Sequence, residues 1–311
     1  MFDKNRRIFL PAPSLSNPNR IPMILRHLYA ALALLASLPL FADENRVGLR
    51  VDLVSEVTHI QPGTPFYVGV YIRHEPGFHT YWKQPGIVGV PTSMKWDLPR
   101  GWKGGELEYP EPESVLMFTI KAQGYERDVL LQALITPPKK LAPGTTITLA
   151  GRAVWMCCAQ SCHPGFKDLT LTLPVASEAP PFDTQWQPLF AKERAAAPQE
   201  SAAWSSTARI VNDAQLELIV TPASPAARPL STALANKVLH FTEDGWIDSD
   251  DPRTITFDPT TGGLHLLLPL SKGLRDKRPP KNLQSLLQLP GGWQKNGHPH
   301  NLRLTTPLPR S

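Results

Sequence analysis

From Val47 onward, apolar residues recur at every second position in stretch after stretch, and few folds accept that period. In "PFYVGVYIRH", Phe66, Val68, Val70 and Ile72 share one face. In "TTITLAGRAVW", Ile147, Leu149, Ala153 and Trp155 do the same, and "KDLTLTLPV" alternates Leu169, Leu171 and Leu173 with polar residues. Alternation of this kind describes strands with one buried and one wet face, as in antiparallel sheets packed into a sandwich. Turn signals such as "QPGTP", "EPGFH" and "LAPGT" separate the runs, and 34 prolines among 311 residues work against long helices. About eight strands are expected between residues 47 and 176, which predicts an all-β chain beginning with an immunoglobulin-like β-sandwich over residues 43–176.

The alternation stops at residues 177–204, which are rich in proline and alanine. This stretch reads as a linker with one short helix from Gln187 to Ala196. Residues 205–311 return to strand patterns in "ARIVNDAQLELIV", "KVLHFTEDGWIDSD", "RTITFDP", "GLHLLLPL" and "HNLRLTTPL". They are expected to form a second, smaller β-rich domain, with Trp246 and Trp293 in its core.

The formal net charge of +5 does not describe a nucleic-acid surface. Lys4, Arg6, Arg7, Arg20 and Arg26 against Asp3 supply +4 of it within residues 1–42, and the rest of the chain shows no basic cluster. Residues 1–42 read as a leader and signal peptide: Arg26, an apolar run from Leu28 to Leu40, and a small residue at Ala42 where cleavage is expected. The run is short for a membrane span, so the mature chain is expected not to span a membrane. Met23 is an alternative start. Export to the periplasm would place the cysteines where disulfides form and persist.

All three cysteines lie in "AVWMCCAQSCHPG". Cys157 shares the parity of Trp155 and should enter the core as a small apolar residue. Cys158 has the opposite parity and should point outward. Cys162 follows a turn that Pro164 is expected to close, so Cys158 pairs naturally with Cys162. A disulfide closing about five residues contributes roughly 2 kcal/mol, against nearly 5 for about 100. A bridge this local is a weak staple that leaves its sulfurs open to thiol–disulfide exchange. Spacing alone nevertheless leaves three readings: a redox pair, a local structural disulfide, and a copper or zinc site built from Met156, Cys157, Cys158, Cys162 and His163.

The segments "GFHTYWKQPG", "GYERDVLL" and "AVWMCCAQSCHPG" together resemble the N-terminal periplasmic domain of the DsbD and ScsB family of thiol:disulfide interchange proteins. Trp155, Cys158, Cys162 and Pro164 match the family pattern in order, and Cys157 is an extra cysteine. The resemblance implies a redox-active Cys158–Cys162 pair and no organic cofactor. It also implies re-reduction by a membrane electron donor, here expected on a separate chain, and periplasmic disulfide or thioredoxin-like partners. A cap loop that shields the pair in the family would fall in "EYPEPESVLMF", residues 108–118. The rivals are a copper or zinc protein, and a non-catalytic interaction module with an inert disulfide.

Other residues carry weaker signals. His163 beside Cys162 would raise the thiolate fraction as an imidazolium, or be a solvated turn residue. His79 and Lys83 belong either to the site or to strand packing with a snorkelling lysine. Glu108, Glu111 and Glu113 border a partner surface or a solvated loop. No phosphate loop, Ser-His-Asp set or paired-carboxylate arrangement is recognisable.

Overall fold

The alternating segments form strands, and their apolar faces meet. The computed structural model describes residues 47–274 and 278–309. The expected leader, signal peptide and alternative start at Met23 lie outside the described residues. The chain builds β1 (Leu49–Ser55), β2 (Phe66–His74), β3 (Thr80–Tyr81), β4 (Ser93–Asp97), β5 (Lys103–Gly104), β6 (Glu113–Met117) and β7 (Ile120–Tyr125). It continues with β8 (Val129–Thr136), β9 (Thr146–Cys158), β10 (Cys162–Pro174) and the helix α1 (Gln187–Ala196). Ten strands therefore lie between residues 47 and 176, rather than about eight. The surplus comes from the two-residue pieces β3 and β5, too short to show a period.

Sheet β1-β2-β8-β5 faces sheet β10-β9-β4, and the expected residues meet between them. Phe66, Val68, Val70 and Ile72 of β2 pack with Leu131, Ala133 and Ile135 of β8 on one side. Leu149, Ala153, Trp155, Cys157 and Leu169 close the core from the other. A third sheet, β3-β7-β6, lies over one end of the β9–β10 ladder.

The segment between the β-regions is docked onto the first sandwich. Phe190 of α1 is fully buried with Val54 and Leu130. Gln132 donates to the Phe190 carbonyl at 3.0 Å, and the buried Glu193 carboxylate accepts from Arg127 at 2.9 and 3.1 Å. Burying one large apolar side chain contributes about 1.5–3 kcal/mol, enough to hold a ten-residue helix that would be marginal alone.

Beyond α1 come β11 (Trp204–Asn212), β12 (Gln215–Pro222), a helical turn at Thr232–Ala235, β13 (Leu239–Thr242), β14 (Thr254–Asp258), β15 (Gly263–Pro269), β16 (Asn282–Gln288) and β17 (Asn301–Pro307). Sheets β11-β12-β15-β14 and β13-β16-β17 enclose a second core with Trp293 fully buried and Trp246 packed at its edge. The two cores are not independent: Phe241 of β13 and Leu286 of β16 belong to the first. Strand β16 has no counterpart among the sequence expectations. It buries Leu283 and Leu287 in one core and Leu286 in the other, which erases its alternation.

Candidate functional site

The β9–β10 hairpin creates the site. Cys158 ends β9, Cys162 begins β10, and three residues, Ala159 to Ser161, turn the chain. The register sets Cys162 directly opposite Cys158, and the two sulfurs form a disulfide across a Cα–Cα distance of 4.1 Å. Pro164 does not close the turn. It lies inside β10 opposite Met156, on the edge strand of its sheet, where a missing N–H is tolerated. His163 also lies in the strand, opposite Cys157, and its ring meets the Ser161 hydroxyl at 2.7 Å.

The two sulfurs occupy different environments. Cys162 is exposed, whereas Cys158 is 0% exposed. Parity turns Cys158 away from the main core as expected, but that outer face is covered. Val115 and Ala122 of the β6–β7 hairpin and Tyr81 of β3 pack on Cys158, with Val88, Met117 and Met156 around them. The expectation that both sulfurs are accessible is thus corrected. The cover includes part of residues 108–118, but as a paired hairpin rather than a loop.

His79 and Tyr81 anchor the buried sulfur. His79 and Cys158 exchange two backbone hydrogen bonds of 2.9 Å. The Tyr81 hydroxyl donates to Cys158 Sγ at 3.1 Å, and His79 Nε2 lies 3.3 Å from the same hydroxyl. With the hydroxyl proton directed at sulfur, Nε2–H is left to donate to its oxygen. Burial, then the neighbouring His74, pushes His79 down to about 4, so the ring is neutral at ordinary pH. Burial, then Cys157, pushes the Tyr81 hydroxyl up to about 12, so it remains a donor. Tyr81 escaped the sequence reading because β3 is too short to show which of its side chains face inward. The available signal was its shared parity with His79 in "HTYW".

The other candidates separate. Cys157 is buried in the main core, where burial and then Glu75 push its thiol up to about 12. Since Cys157 and Cys158 lie on opposite faces, one metal ion cannot take both. No group of three His, Cys, Asp or Glu suited to a metal occurs among the described residues. Trp155 packs in the core, its indole lying over Gly165, where an added Cβ would meet Nε1 at 2.5 Å. Lys83 pairs with Glu243 at 3.0 Å. The three glutamates do not act as one acidic run: Glu108 is exposed as a solvated residue would be, whereas Glu111 and Glu113 are partly buried. Glu111 and Glu113 converge with Glu193 on Arg127, and Glu108 accepts from the Tyr67 hydroxyl at 3.3 Å.

Residues 49–174 match the family model for the N-terminal part of the thiol:disulfide interchange protein DsbD. These residues are a DsbD N-terminal domain. Both cysteines of the disulfide lie within the matched segment of this domain. The N-terminal periplasmic domain of ScsB from Proteus mirabilis has a similar fold at 16% identity, with a TM-score of 0.58 over 84% of this chain and 94% of that one. That likeness extends past the DsbD N-terminal domain into the second β-region. The adhesin FdeC of Escherichia coli aligns at 11% identity over 83% of this chain and 63% of that one, with a TM-score of 0.21. No curated protein matches the chain. No helix among the described residues is long and apolar enough to cross a membrane.

Proposed function

We propose that this chain is an exported, periplasmic thiol:disulfide exchange protein in which Cys162 attacks and Cys158 resolves. The observation that carries the reading is the asymmetry of the disulfide: one cysteine is exposed and the other is buried against a hydroxyl donor. In the reduced protein, the Cys162 thiolate attacks one sulfur of a partner disulfide. The partner's S–S bond breaks, its second sulfur leaves as a thiolate and takes a proton from solvent, and a mixed disulfide to Cys162 remains. The Cys158 thiol gives up its proton to solvent and attacks Cys162 Sγ, which releases the partner's first sulfur as a thiolate that takes a proton from solvent in turn. Two electrons have then passed to the partner, and the Cys158–Cys162 bond is restored.

Re-reduction runs the same steps backward. A donor thiolate attacks exposed Cys162, and Cys158 leaves as a thiolate that the Tyr81 hydroxyl is placed to receive by hydrogen bonding. The donor on this reading is a membrane electron carrier, and the acceptors are periplasmic disulfide or thioredoxin-like proteins. No step requires an organic cofactor.

Removing the resolving cysteine tests the assignment. Cys158→Ala should trap partners as reducible adducts of Cys162 on non-reducing gels, and Cys162→Ala should not. An inert staple predicts two variants weakened alike by about 2 kcal/mol without adducts, an outcome that would end the redox assignment.

A further inference from the structure

The cover over Cys158 is held from outside the DsbD N-terminal domain. Ala122 packs on Cys158, and the next residue, Gln123, is 2% exposed and has a polar partner for every group. Its side-chain oxygen accepts from the Thr242 backbone N–H at 2.8 Å, and its side-chain amide donates to the Thr242 carbonyl at 2.8 Å. That pair imitates one rung of a sheet between β7 and β13. The same amide reaches the Gln84 carbonyl, while the Gln123 backbone bonds Pro85 at 2.8 Å and Trp82 at 3.0 Å.

A second clasp lies beside the first. The Ser249 hydroxyl donates to the Lys121 carbonyl at 2.9 Å and accepts from the Ile87 N–H at 3.2 Å. Asp250 accepts from the Lys121 N–H at 2.9 Å. One serine thus joins β7 to the loop leading to Val88, and both contribute to the apolar cluster that holds Cys158. The approach is close enough to demand glycine: an added Cβ at Gly86 would lie 2.1 Å from Ser249 Oγ, and one at Gly245 2.6 Å from the Gln84 amide.

We propose that the second β-region is a brace for this cover, with Gln123, Thr242 and Ser249 as positioning residues that set how readily Cys158 is uncovered. Buried backbone groups left without partners are costly, so each clasp resists lifting of the hairpin as long as β13 and the 242–251 loop stay in place. The cover must yield for any reagent to reach Cys158, and the energy of that local opening is set by what holds it. The bearing of the brace on exchange rests on the function proposed above, but the brace itself does not.

The experiment is a pulse of N-ethylmaleimide on the reduced full chain, with peptide fragmentation separating adducts on Cys158 from those on Cys162. In the unaltered protein Cys162 should label faster. Gln123→Ala and Ser249→Ala should each raise the Cys158 rate on the order of tenfold and leave the Cys162 rate unchanged. Ser205→Ala removes an exposed cross-strand hydroxyl pair with Thr221 elsewhere in the second region and should change neither rate. Thermal melts verify that each variant is folded, and if Gln123→Ala is not, Ser249→Ala decides. An unchanged Cys158 rate in the folded clasp variants, or an equal rise in Ser205→Ala, overturns the brace. Uncovering without partner trapping by Cys158→Ala would keep the brace and reject exchange; trapping without uncovering would do the reverse.

Discussion

The Tyr81 hydroxyl donates a hydrogen bond to the Cys158 sulfur at 3.1 Å, inside a pocket where neither residue has any exposed surface. A thiolate released there when the disulfide opens would lack water, and an unsolvated sulfur anion is a poor leaving group. The hydroxyl supplies the missing polar contact. His79 behind it is neutral and donates to the phenolic oxygen, so the pocket holds a donor chain without introducing a full charge.

Tyr81→Phe keeps the ring and removes the donor. A hydrogen bond to a charged group contributes about 1.5–3 kcal/mol, so reduction of the Cys158–Cys162 bond by a small dithiol should slow roughly ten- to hundredfold. Thermal stability should fall by about 1–3 kcal/mol, since the buried His79 Nε2–H loses its acceptor. Stopped-flow reduction of the folded variant, monitored against pH, separates this from a packing defect: the rate should drop even at temperatures well below the melting transition.

Cys157 lies on the far side of the same strand, and its role is separable. Cys157→Val conserves a small apolar side chain in the main core, and such exchanges usually cost less than about 1.5 kcal/mol. Exchange activity and trapping by the Cys158→Ala background should be unchanged. Loss of exchange in Cys157→Val with the fold intact would show that the wrong cysteines have been paired.

What the sequence reveals about the site depends on how local the determining contacts are. The apolar face of β2 and the opposite parities of Cys157 and Cys158 follow from side-chain alternation along one strand. The short helix from Gln187 to Ala196 likewise follows from a local change of pattern. The cover over Cys158 is different, because it joins β9 to a hairpin some forty residues earlier. In "SVLMF" four consecutive apolar residues, Val115 to Phe118, occupy both parities, and Leu116 and Phe118 are 53% and 63% exposed, so no periodicity marks Val115 as the inward one. Strand β16 hides for the opposite reason, being buried on both faces. Outward parity therefore did not mean exposure for Cys158: whether a sheet face is wet depends on what the rest of the chain lays on it.

The same long-range convergence turns a solvated-looking acidic run into a pH-sensitive cluster. Arg127 pairs with Glu111 at 3.3 Å, Glu113 at 3.6 Å and Glu193 at 2.9 Å, tying the start of the cover hairpin to the turn between β7 and β8 and to α1. Three carboxylates share one guanidinium, and Glu111 Oε2 is buried without a hydrogen-bond partner. Burial pushes the Glu111 carboxyl up to about 7, the Arg127 charge opposing and the charges of Glu193 and Glu113 adding. The sign follows from proton counting: between the ordinary 4.5 and about 7 the folded chain binds a proton that the unfolded chain has lost. The contribution of Glu111 to stability is therefore largest below that window and declines as pH rises through it. Glu111→Gln carries the protonated shape at every pH. It should raise the melting temperature at pH 8, change it little at pH 4.5, and flatten the decline between. Melting temperatures across pH 4.5–8 measure this directly, and a variant that loses stability equally at all pH values would show that the ionised Glu111–Arg127 pair, rather than the proton, holds the hairpin to the helix.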